Sequence, residues 1–233
     1  MKECKTGIVF VHGIQGGPQQ FDFLTERLPA SVAYRNVLLP GHGATVKEFR
    51  RSGANEWLAA VTQASADMRD KCEELYFVGH SMGCLLGLLT EDELNCFSRM
   101  IMICAPFYVR LTARYFKINF SAALKKQTND PFVLATRKAN SVSAKHAASY
   151  LFCAHPYLEL FKLIKQVRRS DPKTACAEYY FSELDEIVGR KSASYAAEHL
   201  GAKTQIFAGC GHNCFTDTAK EQLTSKILEM TGN

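Results

Sequence analysis

Gly79-His80-Ser81-Met82-Gly83 is the stretch of this sequence best suited to chemistry. It follows an apolar run and opens a helical pattern, the context in which G-x-S-x-G sets a serine on a sharp strand-to-helix turn. Small residues at Gly79 and Gly83 allow the close backbone approach that such a turn demands. The turn lifts the Ser81 hydroxyl above the carboxyl edge of a sheet, at a helix N-terminus. A plain Gly/Ser turn capping a helix is the blander account. The strand before it and the helix after it favour a nucleophile.

A serine hydroxyl is a weak nucleophile until a base lies within hydrogen-bond reach. On a scaffold of this kind the partners follow the serine in the order acid, then histidine. The downstream histidines outside the basic stretch described below are His199 and His212. His199 falls within a helical pattern. His212 ends Ala208-Gly209-Cys210-Gly211-His212, where a glycine-rich loop can turn the ring back over the sheet edge, so His212 is the expected base. The acid is expected between Ser182 and Val188. There Asp185 precedes Ile187 and Val188, which can anchor the loop, while Glu183 and Glu186 read as solvated. Asp185 would hold the His212 tautomer and stabilise its imidazolium.

A developing oxyanion needs two preorganised backbone N–H groups. Met82, directly after the nucleophile, offers one. The loop Val11-His12-Gly13-Ile14-Gln15-Gly16-Gly17-Pro18 offers the other, with Ile14 N–H the expected donor and Gly13 supplying backbone freedom. Such a loop alone can equally receive a phosphate; beside the serine turn, the oxyanion reading is stronger. His12, His42 and His80 each adjoin a glycine and are expected to make structural hydrogen bonds. Cys84, one turn beyond Ser81, reads as a packed helix residue and not as a second nucleophile.

The elements that must position these groups alternate along the chain. Strands are expected over Gly7 to His12, Val32 to Leu39, Leu75 to Gly79, Met100 to Cys104, Cys176 to Phe181 and Thr204 to Ala208. Helical patterns lie over Pro18 to Leu28, Glu56 to Cys72, Met82 to Leu94 and Ser192 to Leu200, and from Asp217 or Thr218 toward Met230. Apolar strands separated by helices imply a mostly parallel central sheet flanked by helices, an α/β fold. The alternation fails over 107–170, a basic, helical stretch rich in large apolar residues. It reads as a small helical cap inserted into a core formed by 1–106 and 171–233.

On His12-Gly13, Pro40-Gly41-His42-Gly43, the turn at Ser81, Asp185-Glu-Ile-Val and Gly211-His212, the chain resembles the α/β-hydrolase superfamily. Within it, the resemblance is to small bacterial carboxylesterases and monoacylglycerol lipase-like serine hydrolases. It covers nearly the whole chain. The resemblance implies a Ser81–Asp185–His212 triad, a cap after the strand ending near Ala105, and no cofactor. Relatives often carry an aromatic where Ile14 stands, a departure that bears on pocket shape because only the backbone serves the oxyanion.

Composition narrows the classes further. With 233 residues, 47% of them hydrophobic and 22% charged, the chain is neither disordered nor fibrous. Leu75 to Thr90, the best candidate for a span, runs sixteen residues without an acidic or basic side chain, short of the roughly 20 apolar residues a membrane span needs. The start does not read as a secretory leader. Nine cysteines are an odd number, so reduced thiols and a cytoplasmic location are expected. Cys210, His212 and Cys214 do not match zinc spacings, so no metal is expected.

The net charge of +5 is uneven. Between Phe107 and Lys173, thirteen Lys or Arg stand against Asp130, Glu159 and Asp171. No nucleic-acid-binding module accompanies them, so nucleic acid is not an expected partner. Phe107, Phe116, Phe120, Tyr150, Phe152 and Phe161 are candidates to line an acyl pocket beneath the cap, whose basic face would favour anionic head groups or transient contact with a lipid surface. A merely solvated amphipathic cap is the simpler alternative. The expected activity is hydrolysis of a small-molecule acyl ester, of short to medium chain or monoacylglycerol-like. Thioester hydrolysis or acyl transfer on the same scaffold, and a non-catalytic binding protein, are the alternatives.

Overall fold

The computed structural model describes residues 2–124, 127–143, 153–172 and 176–232. Six strands form one sheet: β1 (Cys4–Val11), β2 (Val32–Val37), β3 (Cys72–His80), β4 (Arg99–Ile103), β5 (Ala177–Ser182) and β6 (Lys203–Phe207). All neighbours are parallel, in the order β2-β1-β3-β4-β5-β6. The order reverses between β1 and β3, and at such a switch point the connections leave to opposite faces and open a crevice at the carboxyl ends of the strands. Val11 pairs with Gly79 at that edge, so the loops after β1 and β3 emerge side by side.

Strand periodicity divides the buried side chains between two faces. Ile8 and Phe10 of β1, Tyr76 and Val78 of β3, and Ile101 and Ile103 of β4 join one cluster. That cluster includes Leu24 of α1 (Asp22–Thr25) and Leu223 and Ile227 of α9 (Asp217–Met230). The alternate residues Val9, Val11, Phe77, Met100 and Met102 face the other way. They meet Trp57 and Val61 of α3 (Ala54–Lys71) and Leu85 and Leu88 of α4 (Met82–Leu94). The short helix α2 (Val46–Phe49) opens on a Thr45–Glu48 capping box that its sequence context did not announce.

The long connection between β4 and β5 holds α5 (Ala113–Ala123), α6 (Pro131–Ala139) and α7 (Ala154–Ser170). These do not play one part. Helix α7 buries Leu160, Leu163, Ile164 and Val167 in the main core, whereas α5 and α6 pack chiefly on each other. The helical pattern over Ser192 to Leu200 resolves into α8 (Arg190–Ser194) and a π-helical turn, Tyr195–His199.

Two expectations are corrected here. Cys4 and Cys72 are joined in a disulfide, and the other seven cysteines are free. The two lie far apart in sequence, but the parallel register pairs them directly at the amino ends of β1 and β3. Phe107 does not stand on a cap: it is fully buried in the main core against the rings of Tyr179 and Tyr195, because the chain leaving β4 folds back onto the core. Phe116, Phe120 and Phe161 are exposed, while Tyr150 and Phe152 lie outside the described residues.

Candidate active site

Ser81 stands between β3 and α4 with φ +52° and ψ −121°, a conformation L residues rarely adopt. Its N–H donates to the Ile103 carbonyl at 2.8 Å, which ties the turn to the neighbouring strand. The flanking glycines are required by contact. A Cβ at Gly83 would lie 2.0 Å from the Val11 carbonyl oxygen, and one at Gly79 would lie 2.9 Å from the Cys84 nitrogen. Gly13 admits Ser81 from the other side, since its Cβ would stand 2.9 Å from that of Ser81.

The loop after β6 returns His212 to this turn. Nε2 of His212 is 3.0 Å from Ser81 Oγ, and Nδ1 is 2.9 Å from Asp185 Oδ2. A carboxylate only accepts, so the ring proton sits on Nδ1 and the Nε2 lone pair faces the serine. The second Asp185 oxygen accepts the N–H groups of Ile187 at 2.8 Å and Val188 at 2.7 Å. Those three bonds fix the carboxylate. Glu186, expected in solvent, is buried and accepts the His212 N–H at 3.2 Å, while Glu183 is exposed as expected and accepts from Gly209 N–H at 3.0 Å. The correction has a simple cause: the loop turns at Asp185 and carries the next carboxylate inward against the histidine backbone.

Burial opposes a positive charge on His212, but the Asp185 carboxylate, by charge and hydrogen bond, and Glu186, by charge, hold its pKa above the ordinary imidazole value. Burial likewise works against the Asp185 anion, yet His212 and the two backbone donors keep its pKa below the usual carboxylate range. His80 is fully buried and pushed down to about 3, by burial and by the neighbouring His212. Its Nε2 donates to the His212 carbonyl at 2.9 Å, steadying the loop from below. Burial also raises the Cys84 thiol far above its usual value, and its sulfur donates to the Gly79 carbonyl.

The N–H groups of Ile14 and Met82 have no acceptor among the described residues. Gly13 N–H is taken: it donates to Gln20 Oε1 at 3.1 Å, and Gln20 Nε2 donates to Asn213 Oδ1 at 3.3 Å. Gln20 thus bridges the loops of Gly13 and His212, and nothing in its sequence spacing announced this. Ser141, just past α6, ties the same loop through its N–H to the Gln15 carbonyl at 2.8 Å. Among metal-ligating side chains, the donor atoms of His80, Cys104 and His212 come within 4.8 Å of one another; both His212 nitrogens are already engaged by Asp185 and Ser81. A cavity of about 380 Å³ adjoins the site, walled by His80, Gln20, Phe23, Leu134, Asn213 and Phe215.

A six-stranded parallel sheet with a strained serine turn at its switch point is the architecture of a hydrolase scaffold. A family model described as the alpha/beta hydrolase family matches residues 8–224, and the chain belongs to that family. A curated relative, the thermostable monoacylglycerol lipase of Bacillus sp. (strain H-257), is 31% identical over 89 residues. That match takes in 37% of this chain and spans only 35% of the relative's length. Among solved structures, one from the study of LipS and LipT, two metagenome-derived lipolytic enzymes, superposes with a TM-score of 0.71 at 18% identity, covering 98% of this chain and 94% of that one. The Paleococcus ferrophilus monoacylglycerol lipase gives 0.68 at 16% identity, covering 97% and 95%. At these identities the likeness shows the fold.

Proposed function

We propose that this chain is a serine hydrolase of carboxylic esters, acting through Ser81, His212 and Asp185 by way of an acyl-enzyme. The observation that carries the reading is the His212 ring, held between Ser81 Oγ at 3.0 Å and Asp185 Oδ2 at 2.9 Å. As Oγ attacks the ester carbonyl carbon, Nε2 takes the hydroxyl proton and Asp185 stabilises the imidazolium. The carbonyl oxygen becomes an oxyanion and receives the Ile14 and Met82 N–H groups. His212 returns the proton to the leaving alcohol. Water then attacks the acyl-enzyme by the same steps and releases the carboxylic acid.

Short- to medium-chain acyl esters or monoacylglycerol-like lipids are the substrates this reading favours. The adjoining cavity supports it with apolar walls at Phe23, Leu134 and Phe215, as does the similarity to a monoacylglycerol lipase. Helices α5 and α6 act as the cap, and the exposed Phe116 and Phe120 beside basic residues allow transient contact with a lipid surface.

Hydrolysis of p-nitrophenyl esters from acetyl to palmitoyl, by wild type and Ser81→Ala, tests this. Turnover is expected in the wild type and lost in the variant, with the chain-length optimum sizing the pocket. Turnover that survives in the variant overturns the role of Ser81. No turnover on any oxoester, with release from the matching thioester, moves the activity to thioester hydrolysis.

A further inference from the structure

The loop that carries Asp185 has a second face, turned away from Ser81. Behind it lies a cavity of about 630 Å³, between the carboxyl ends of β5 and β6 and the segment 108–110. Val109, Phe181 and the half-exposed Ile206 give it apolar surface, and Arg110, Arg190 and Lys191 line it as cations. The cavity shares a wall with the acid loop. Arg110 N–H donates to the Ile187 carbonyl at 2.8 Å, and Val109 bridges Val188.

The charges here are unbalanced. None of the three cations enters an ion pair among the described residues. Two acids share the lining, the buried Asp185, bonded to His212, and the exposed Glu183, which accepts the Gly209 N–H and keeps its charge, so cations exceed acids by one. A fourth cation approaches: Arg168 Cζ lies 4.1 Å from the Tyr108 ring centre, and Lys191 Nζ lies 4.3 Å from the same centre. One aromatic ring attracts each cation by only about 0.5–1 kcal/mol at an exposed site, and it carries no net charge to cancel their mutual repulsion. Arg110 is exposed like Arg190 and Lys191, and its Nε stands 4.0 Å from where a Cβ at Gly189, the N-cap of α8, would lie.

We propose that this cavity binds an amphiphilic anion, an oxyanion head on a short apolar chain. The head meets Arg110, Arg190 and Lys191, where guanidinium groups can grip a planar carboxylate with paired hydrogen bonds. The chain lies over Val109, Phe181 and Ile206. The site does not depend on which bond Ser81 attacks.

The test is calorimetric titration of octanoate, octanol and inorganic phosphate into Ser81→Ala protein at low salt. The same titrations are made into that protein carrying Arg110→Gln and Lys191→Gln. Octanoate should bind the parent, weaken with added salt, and lose at least about tenfold in affinity in the cation variant, a change of about 1.4 kcal/mol. Octanol and phosphate should each bind the parent at least about tenfold more weakly than octanoate, since each lacks half of the interaction. Both replaced side chains are exposed, and Arg190→Gln alone, expected to weaken octanoate, stands in should the double change disturb folding. The proposal is overturned if octanoate does not bind, if octanol or phosphate matches it, or if the cation variants bind it as the parent does.

Discussion

Nε2 of His12 accepts a hydrogen bond from the Leu39 N–H at 3.1 Å, which leaves the ring proton on Nδ1, 2.8 Å from the Gly13 carbonyl oxygen. Burial, with the charge of His42, pushes this ring down to about 3, so it stays neutral. The Gly13 carbonyl and the Ile14 N–H belong to one trans peptide and point in opposite directions. By holding the first, His12 aims the second. His12→Leu deletes both bonds and should lower kcat by about 10- to 100-fold, approaching the loss of one oxyanion donor. Steady-state kinetics on a p-nitrophenyl ester, with a melting curve to confirm folding, checks this; an unchanged kcat would separate the ring from Ile14.

The acid limb of the pH–rate profile should report His212. Only the neutral ring can take the serine proton, so activity rises with pH through the His212 pKa. That pKa is held above its ordinary value, and the midpoint of kcat/KM should therefore lie above about pH 6.5. Asp185→Asn removes the charge that raises it. The midpoint should move down, and kcat should fall on the order of 10³–10⁴-fold as the ring loses its tautomer and its partner.

Three buried histidines make the fold sensitive to acid. His12 and His80 are held down to about 3 and His42 to about 4, each chiefly by burial. An unfolded chain binds protons on these rings below about pH 6.5 and the folded chain does not, so their contribution is intact above that pH and is lost as pH falls toward 4 and 3. Each ring should cost on the order of 2 kcal/mol between pH 7 and pH 5. His212, with its raised pKa, works in the opposite sense: its contribution is present below about 6.5 and is lost as pH rises through its folded value. Urea unfolding at pH 7, 6 and 5 measures the balance, and a stability that holds level across the series would refute the dominance of the three rings.

The strained turn should be separable from its chemistry. Ser81 at φ +52° costs about 1–3 kcal/mol, which glycine would relieve, less about 0.5–1 kcal/mol for the freedom glycine adds to the unfolded chain. Ser81→Gly should therefore abolish ester turnover and raise stability by roughly 1 kcal/mol, seen as a higher urea midpoint at unchanged slope.

The sheet was legible because its strands are buried on both sides and read as unbroken apolar runs, from Ile8 to Val11 and from Leu75 to Val78. Ser81, Asp185 and His212 were legible through glycine spacing and loop position, and the structure brings all three together. Long-range consequences of register were not. Cys4 meets Cys72 only because two parallel strands align, and Glu186 turns inward only because its loop bends at Asp185. Gln20 bridges two loops through a side-chain amide, a role that leaves no periodic trace. Phe107 looked like a pocket residue because the turn that returns it to Tyr179 has no local signature.

The groups around Ser81 and the long excursion after β4 are anchored at different strand ends. The groups around Ser81 hang from the ends of β1, β3, β5 and β6, while the long excursion leaves and rejoins at β4 and β5, whose pairing from Met100–Ala177 to Ile103–Tyr180 holds its two ends together. Because α7 is committed to the main core, α5 and α6 are the described helices of that excursion that stand apart from it. Exchange of α5 and α6 is expected to leave Ser81, His212 and Asp185 together, provided that Ser141 keeps its hold on the Gln15 carbonyl.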